Sequence, residues 1–213
     1  MAPKYLTLIR HAEGYHNVSH DHSLPDPCLT PKGIQQCTVL NSTFMDSLSP
    51  DCPPPGLLVC SPLTRTLQTT LIGFSTFLST HPNVNMKITP LALIQESGDS
   101  PCDIGRPVTV LKEEFSERGT LTEPELGIEE GQGTVEGKIA WEMIDPVFPG
   151  KEGIYRVDRE TLTERARQAR KWLWERNEEH VVAVLHGDVG PTPNPLISLL
   201  YADDRKLCSF CIT

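Results

Sequence analysis

Four apolar runs in this chain each end in residues able to do chemistry. Tyr5-Leu-Thr-Leu-Ile9 leads into Arg10 and His11, and Val181-Val-Ala-Val-Leu185 leads into His186. Leu57-Leu-Val-Cys60 leads into Ser61-Pro62-Leu63-Thr64-Arg65, and the stretch from Ile88 to Ile94 leads into Gln95 and Glu96. If the runs are strands of one open α/β sheet, their carboxyl ends form the edge where ligands bind. Two guanidiniums (Arg10, Arg65), two imidazoles (His11, His186) and one carboxylate (Glu96) then converge there. A planar guanidinium matches the oxygens of a tetrahedral oxyanion in pairs. Arg65, in the first turn of a helix, is reinforced by free backbone N–H groups and the positive end of the macrodipole. Neighbouring cations lower the pKa of His11 and keep its imidazole neutral and nucleophilic. Such a donor set suits a small tetrahedral dianion.

The elements that must position these groups are legible in outline. Continuous apolar runs fit strands covered on both faces, as in a parallel sheet flanked by helices. Between them, helices are expected from Thr30 to about Phe44, with Pro31 at the first helical position, and from Thr64 to about Leu78. A third is expected from Thr161 to about Asn177, where Thr161 and Glu164 form a capping-box pattern and Leu162, Ala166, Ala169 and Leu173 recur at helical spacing. The expected fold is a three-layer α/β/α sandwich with a mainly parallel central sheet. A length of 213 residues suits one such domain over 1–213. Residues 97–158 break the rhythm with glycines, prolines and the acidic "EPELGIEEGQG". They read as an irregular cap insertion of the kind that forms lids or specificity elements.

Composition narrows the partners. A net charge of −9 excludes a general nucleic-acid binder, which needs a basic face. No stretch approaches the ~20 apolar residues that cross a bilayer. The opening Met-Ala-Pro-Lys-Tyr lacks the apolar core of a signal peptide, so a cytoplasmic protein is expected. The seven cysteines are an odd number with one Cys-x-x-Cys at Cys208 and Cys211, and read as reduced thiols. His16, His20, Asp21 and His22 cluster, but at no common zinc spacing, so no metal site is expected.

The motifs "LIRHAEGYHN", "SPLTRTLQT", "QE" and "VLHGD" resemble, in order and spacing, those of the histidine phosphatase superfamily, the phosphoglycerate mutase-like proteins. "DPCLTPKGIQQ" resembles that family's segment packing a helix beneath the site. "QESGDSPCDIG" and "TERARQARKWLWER" are similar to its small fungal branch. The resemblance implies that His11 attacks phosphorus and becomes a phosphohistidine. Arg10, Arg65 and His186 then bind the equatorial oxygens, and Asn17 adds a donor to the phosphoryl group. Glu96 protonates the leaving oxygen and later activates water. It implies a metal-independent, cofactor-free phosphatase acting on a small phosphomonoester.

Each residue also has a plainer reading. His11 suits a backbone-bonded loop, Glu96 a surface carboxylate, Asn17 a turn cap, and Glu13 or His16 a structural hydrogen bond as readily as a place in the pocket. After the second histidine the chain reads "HGDVGPTPNPLISLL" where the family commonly continues "HGG" into a helix. Pro191, Pro193 and Pro195 forbid a regular helix before about residue 195, and Asp188 brings a carboxylate close to the pocket. The same cationic pocket therefore also suits a repurposed enzyme of secondary metabolism that isomerises, dehydrates or cyclises a carboxylate-type metabolite. A third reading is a pseudo-phosphatase that binds a phosphorylated partner. Mutase activity is not expected, because no segment matches the extended insertions that clamp substrate and exclude water.

Overall fold

A computed structural model of the protein describes residues 5–81, 86–116, 137–187 and 207–210. Its strands are β1 (Tyr5–Arg10), β2 (Leu57–Cys60), β3 (Ile88–Pro90), β4 (His180–Leu185) and β5 (Leu207–Phe210). They form one sheet in the order β3-β2-β4-β1-β5, and every pairing is parallel. The helices are α1 (Tyr15–Ser19), α2 (Pro31–Ser47), α3 (Thr64–Gly73), α4 (Ser75–Thr80), α5 (Val108–Glu114) and α6 (Arg159–Trp174). Alternation along β4 divides the core. Val182 and Val184 pack with Leu40 and Phe44 of α2 and Leu67 and Leu71 of α3. Val181, Ala183 and Leu185 face Ala166, Ala169 and Leu173 of α6. All six residues of β4 are buried, as its unbroken apolar run requires for a strand between two helical layers.

Several boundaries differ from the sequence reading for local reasons. The run from Ile88 to Ile94 is strand only as far as Pro90, and Ala92–Ile94 is a 3-10 turn that carries the chain on toward Glu96. Proline cannot donate to a ladder and is tolerated because β3 is an edge strand. The helix expected from Thr161 begins at Arg159, because the Asp158 carboxylate caps it by accepting the Thr161 N–H at 3.0 Å. The helix expected to run to Leu78 ends at Gly73, and α4 resumes after Phe74. Strand β5 follows the polar "ADDRK" and was not anticipated. The expected start of α2 holds: the Thr30 hydroxyl accepts the Gly33 N–H at 3.0 Å and Pro31 is the first helical residue.

The described parts of residues 97–158 consist of α5, three short 3-10 turns and loops. They are anchored rather than loose. Leu111, Phe115, Ile139, Ile144, Phe148 and Tyr155 belong to the same buried cluster as the α2–α3 face. Ile139 forms a parallel bridge to Ile88, lengthening the sheet edge beyond β3. Among the described residues no helix is long and apolar enough to cross a membrane.

Candidate active site

Parallel register gathers the carboxyl ends. Arg10 of β1 lies opposite Leu185 of β4, and Cys60 of β2 lies opposite Val184. The next residue on each strand therefore arrives at the same edge: His11, Ser61 and His186. Backbone bonds continue the ladder one step past the strands, from the His11 N–H to the Leu185 carbonyl (2.8 Å) and from the Ser61 N–H to that of Val184 (2.9 Å). Arg65 enters from the first turn of α3, and Glu96 from the loop after the 3-10 turn at 92–94.

Arg65 joins the group. Its side chain is fully buried, and its Nε donates to His11 Nε2 at 3.2 Å. Nη1 donates to the Cys102 carbonyl at 2.8 Å, and Nη2 lies 3.1 Å from His186 Nδ1 and 3.3 Å from Glu96 Oε2. The rings of His11 and His186 are 5.3 Å apart, centroid to centroid. Arg10 approaches from the side of Gly187, where a Cβ would overlap the arginine Cδ, so glycine is needed there for the arginine to pass. Arg10 Nε is buried without a hydrogen-bond partner among the described residues.

The hydrogen bonds determine where the protons sit. His11 Nδ1 lies 2.7 Å from the Ala12 carbonyl, which can only accept, so Nδ1 carries the hydrogen. Nε2 then carries the lone pair, which accepts from Arg65. Burial, followed by the Arg65 charge, holds the His11 pKa well below its usual value, so the ring stays neutral. His186 is also held neutral, by burial and then by Arg65. With Arg65 donating to its Nδ1, His186 Nε2 gives its hydrogen to Ser61 Oγ at 2.8 Å. The lone pair on His186 Nδ1 also faces Glu96 Oε2 at 3.3 Å, an arrangement that favours a protonated carboxyl. Burial raises the Glu96 pKa, against the opposing effect of Arg65. The site thus holds neutral imidazoles, two guanidiniums and a carboxyl biased toward its acid form.

The segment "DPCLTPKGIQQ" supports the helix that carries Arg65. Asp26 has a positive φ of 38°. Its carboxylate accepts the Thr64 N–H at 3.0 Å and the Thr64 hydroxyl at 2.7 Å, capping α3 from outside the helix. Arg106 binds Asp26 at 3.3 Å, the Thr64 hydroxyl at 2.6 Å, and Glu114. Glu13 has a structural role: it accepts from Thr30 at 2.8 Å and pairs with Lys32 at 2.9 Å, and those bonds lower its pKa.

Of the residues expected in the site, Arg65, His11, His186 and Glu96 form one bonded group. Arg10 borders it through Gly187. Asn17 is engaged elsewhere, its Oδ1 accepting the Gly14 N–H and its Nδ2 lying 3.2 Å from His16 Nε2. His16 sits 5.7 Å from the His11 ring, whereas His20 is exposed in a left-handed turn and His22 lies 3.5 Å from Cys102 Sγ. Asp188 and the prolines after it, with the side chains of Cys208 and Cys211, lie outside the described residues. The other five cysteines are free thiols. Three functional neighbours escaped the sequence reading. Ser61 was findable, since it follows β2 as His186 follows the adjacent β4. Lys151 donates to the Glu96 carbonyl at 2.8 Å, from a cap with no motif. Arg165 is fully buried and donates to the Gln95 and Glu96 carbonyls at 3.1 and 3.4 Å. Its signal was an arginine three residues after Leu162, on the apolar face of α6.

The chain is similar in sequence to known proteins. Residues 6–80 match the sequence pattern of the histidine phosphatase superfamily (branch 1). Over 186 residues the chain is 27% identical to a probable phosphatase of Schizosaccharomyces pombe, which covers 86% of this chain and 74% of that one. Among solved structures, a mycobacterial glucosyl-3-phosphoglycerate phosphatase in complex with VO3 is similar at a TM-score of 0.44 and 16% identity. That match covers 92% of this chain and 78% of the other.

Proposed function

We propose that this chain, a member of the histidine phosphatase superfamily by its residues 6–80, hydrolyses a small phosphomonoester through a phosphohistidine at His11, with no metal ion taking part. The observation that carries the reading is the protonation pattern of one side chain. His11 gives its Nδ1 hydrogen to the Ala12 carbonyl and leaves the Nε2 lone pair against Arg65, which also bonds a carboxyl whose pKa is raised.

The Nε2 lone pair attacks phosphorus in line, and the P–O bond to the leaving group breaks as the N–P bond forms. Glu96 gives its proton to the departing oxygen. Water then attacks the phosphohistidine and Glu96, now a carboxylate, takes its proton. The P–N bond breaks with its electron pair returning to Nε2. Arg10 and Arg65 hold the equatorial oxygens and offset the charge that builds in both steps, while His186, accepting from Arg65 and donating to Ser61, keeps Arg65 in place rather than donating to the phosphoryl group. These fixed cations supply the stabilisation for which other phosphatases use metal ions.

The test is turnover of p-nitrophenyl phosphate and a panel of metabolite phosphates in EDTA, by wild type and His11→Ala, with acid-labile phosphoprotein trapped by rapid quench. Chelator-resistant turnover and a trapped intermediate, both lost in His11→Ala, are expected. Turnover that survives the substitution would overturn the phosphohistidine. Binding of phosphate esters without turnover would favour a pseudo-phosphatase.

A further inference from the structure

We infer that His16 is a further hydrogen-bond donor to the bound phosphoryl group, acting through its Nδ1–H, and that Asn17 serves it as a positioning residue. This rests on the phosphatase reading above and adds a residue to its anion site. The orientation of the Asn17 amide follows from its partners. The Gly14 N–H donates to Asn17 Oδ1 at 2.9 Å, so the other end of the amide, Nδ2, is the one 3.2 Å from His16 Nε2. An amide nitrogen only donates, so Nε2 accepts. A neutral imidazole has one N–H, which therefore lies on Nδ1.

That Nδ1 is buried and has no hydrogen-bond partner among the described residues. The whole residue is 7% exposed, with its ring 5.7 Å from the nucleophile's. Gly14 makes room for it: a Cβ there would stand 3.0 Å from both His16 Cε1 and Nδ1. Buried N–H groups left without an acceptor are rare, and near an active site an orphan donor points to a ligand. Arg10 Nε is a second orphan donor, and the charges of both Arg65 and Arg10 act on His16. Two unpartnered donors beside a guanidinium call for an anion. His16 stays neutral over the working range, since burial and then the Arg65 charge bring its pKa to about 4.

The side chain of asparagine can place an N–H where His16 has Nδ1, whereas that of glutamine places it where His16 has Nε2. Vanadate and inorganic phosphate are titrated as inhibitors of p-nitrophenyl phosphate hydrolysis in wild type, His16→Phe, His16→Gln and His16→Asn, with thermal melts in parallel. Loss of one donor to a charged group predicts inhibition weakened about tenfold or more in His16→Phe and His16→Gln, with His16→Asn within about threefold of wild type. Without vanadate, the melting temperature of His16→Phe should stay level or rise, because an unsatisfied buried group is removed. A purely structural ring predicts the reverse, a lower melting temperature in all three with unchanged inhibition, and that result overturns the inference. Should His16→Phe fail to fold, the contrast between asparagine and glutamine still decides it. A wild type that neither turns over phosphate esters nor is stabilised by vanadate sinks the phosphatase reading and this one together. A working wild type with an indifferent position 16 sinks this one alone.

Discussion

Replacing Arg65 by glutamine tests the arrangement most directly, because each nitrogen of this side chain has a separate task. Nη1 is committed to the buried Cys102 carbonyl at 2.8 Å and holds the guanidinium in place. Nε and Nη2 face His11, His186 and Glu96, so these two atoms are the ones available to phosphoryl oxygens. Two charge-assisted hydrogen bonds of about 1.5–3 kcal/mol each amount to about 3–6 kcal/mol, or roughly 10²–10⁴-fold in kcat/KM. The same substitution removes a charge that lowers the His11 pKa. Histidine must be neutral to attack. As pH falls, wild type therefore keeps its activity to a lower pH than Arg65→Gln, whose acid limb moves to higher pH. The assay is a kcat/KM profile with p-nitrophenyl phosphate from pH 4 to 9, with circular dichroism to verify the fold. Arg65→Lys should recover little, since one ammonium cannot serve the carbonyl and two phosphoryl oxygens together. A loss under tenfold in Arg65→Gln, or an acid limb that stays put, would refute the reasoning.

Three other perturbations bear on the same site. Glu96→Gln should slow hydrolysis of alkyl phosphates by about 10²–10⁴-fold while affecting p-nitrophenyl phosphate less, because nitrophenolate leaves without a proton. Since the Glu96 pKa is raised and the acid form acts, wild-type activity on alkyl phosphates should fall as pH rises through it, and a matched profile of the variant should lack that limb. Asp26→Ala removes the cap of α3 and one of the partners of Arg106, which should cost about 1–3 kcal/mol of stability in urea denaturation and lower kcat through a displaced Arg65. Lys151, whose pKa burial lowers to about 8, loses its charge as pH rises past that value. Lys151→Met should remove the corresponding step near pH 8 from the kcat/KM profile, and an unchanged step would assign it to another group.

The residues that gather at the sheet edge could be named in advance because strands and these polar groups were adjacent in the chain. An apolar run ending in a charged side chain is a local signal, and for β1, β2 and β4 it placed His11, Arg65 and His186 at one edge through nothing more than parallel register. Capping was only partly legible. Thr30 with Pro31 marked the start of α2, whereas Asp158 displaced Thr161 at α6, since both lie within one turn and a charged acceptor binds the free N–H more strongly. The cap gave no warning that Ile139 and Phe148 join the main core, because isolated apolar residues among glycines and prolines carry no periodicity.

Taken alone, the chain's local pattern determined the layer order, the cationic edge and the ionisable groups that directly follow its strands. Which nitrogen of His11 bears the proton, why Glu96 leans toward its acid form, and which end of the Asn17 amide meets His16 were decided only in three dimensions. The Ala12 carbonyl takes the His11 Nδ1 hydrogen while Arg65 from α3 donates to Nε2, burial raises the Glu96 pKa against the pull of the Arg65 and Lys151 charges, and the Gly14 N–H orients the Asn17 amide. Protonation responds to desolvation and to charges within a few ångströms, and neither quantity exists until the backbone has closed around the site.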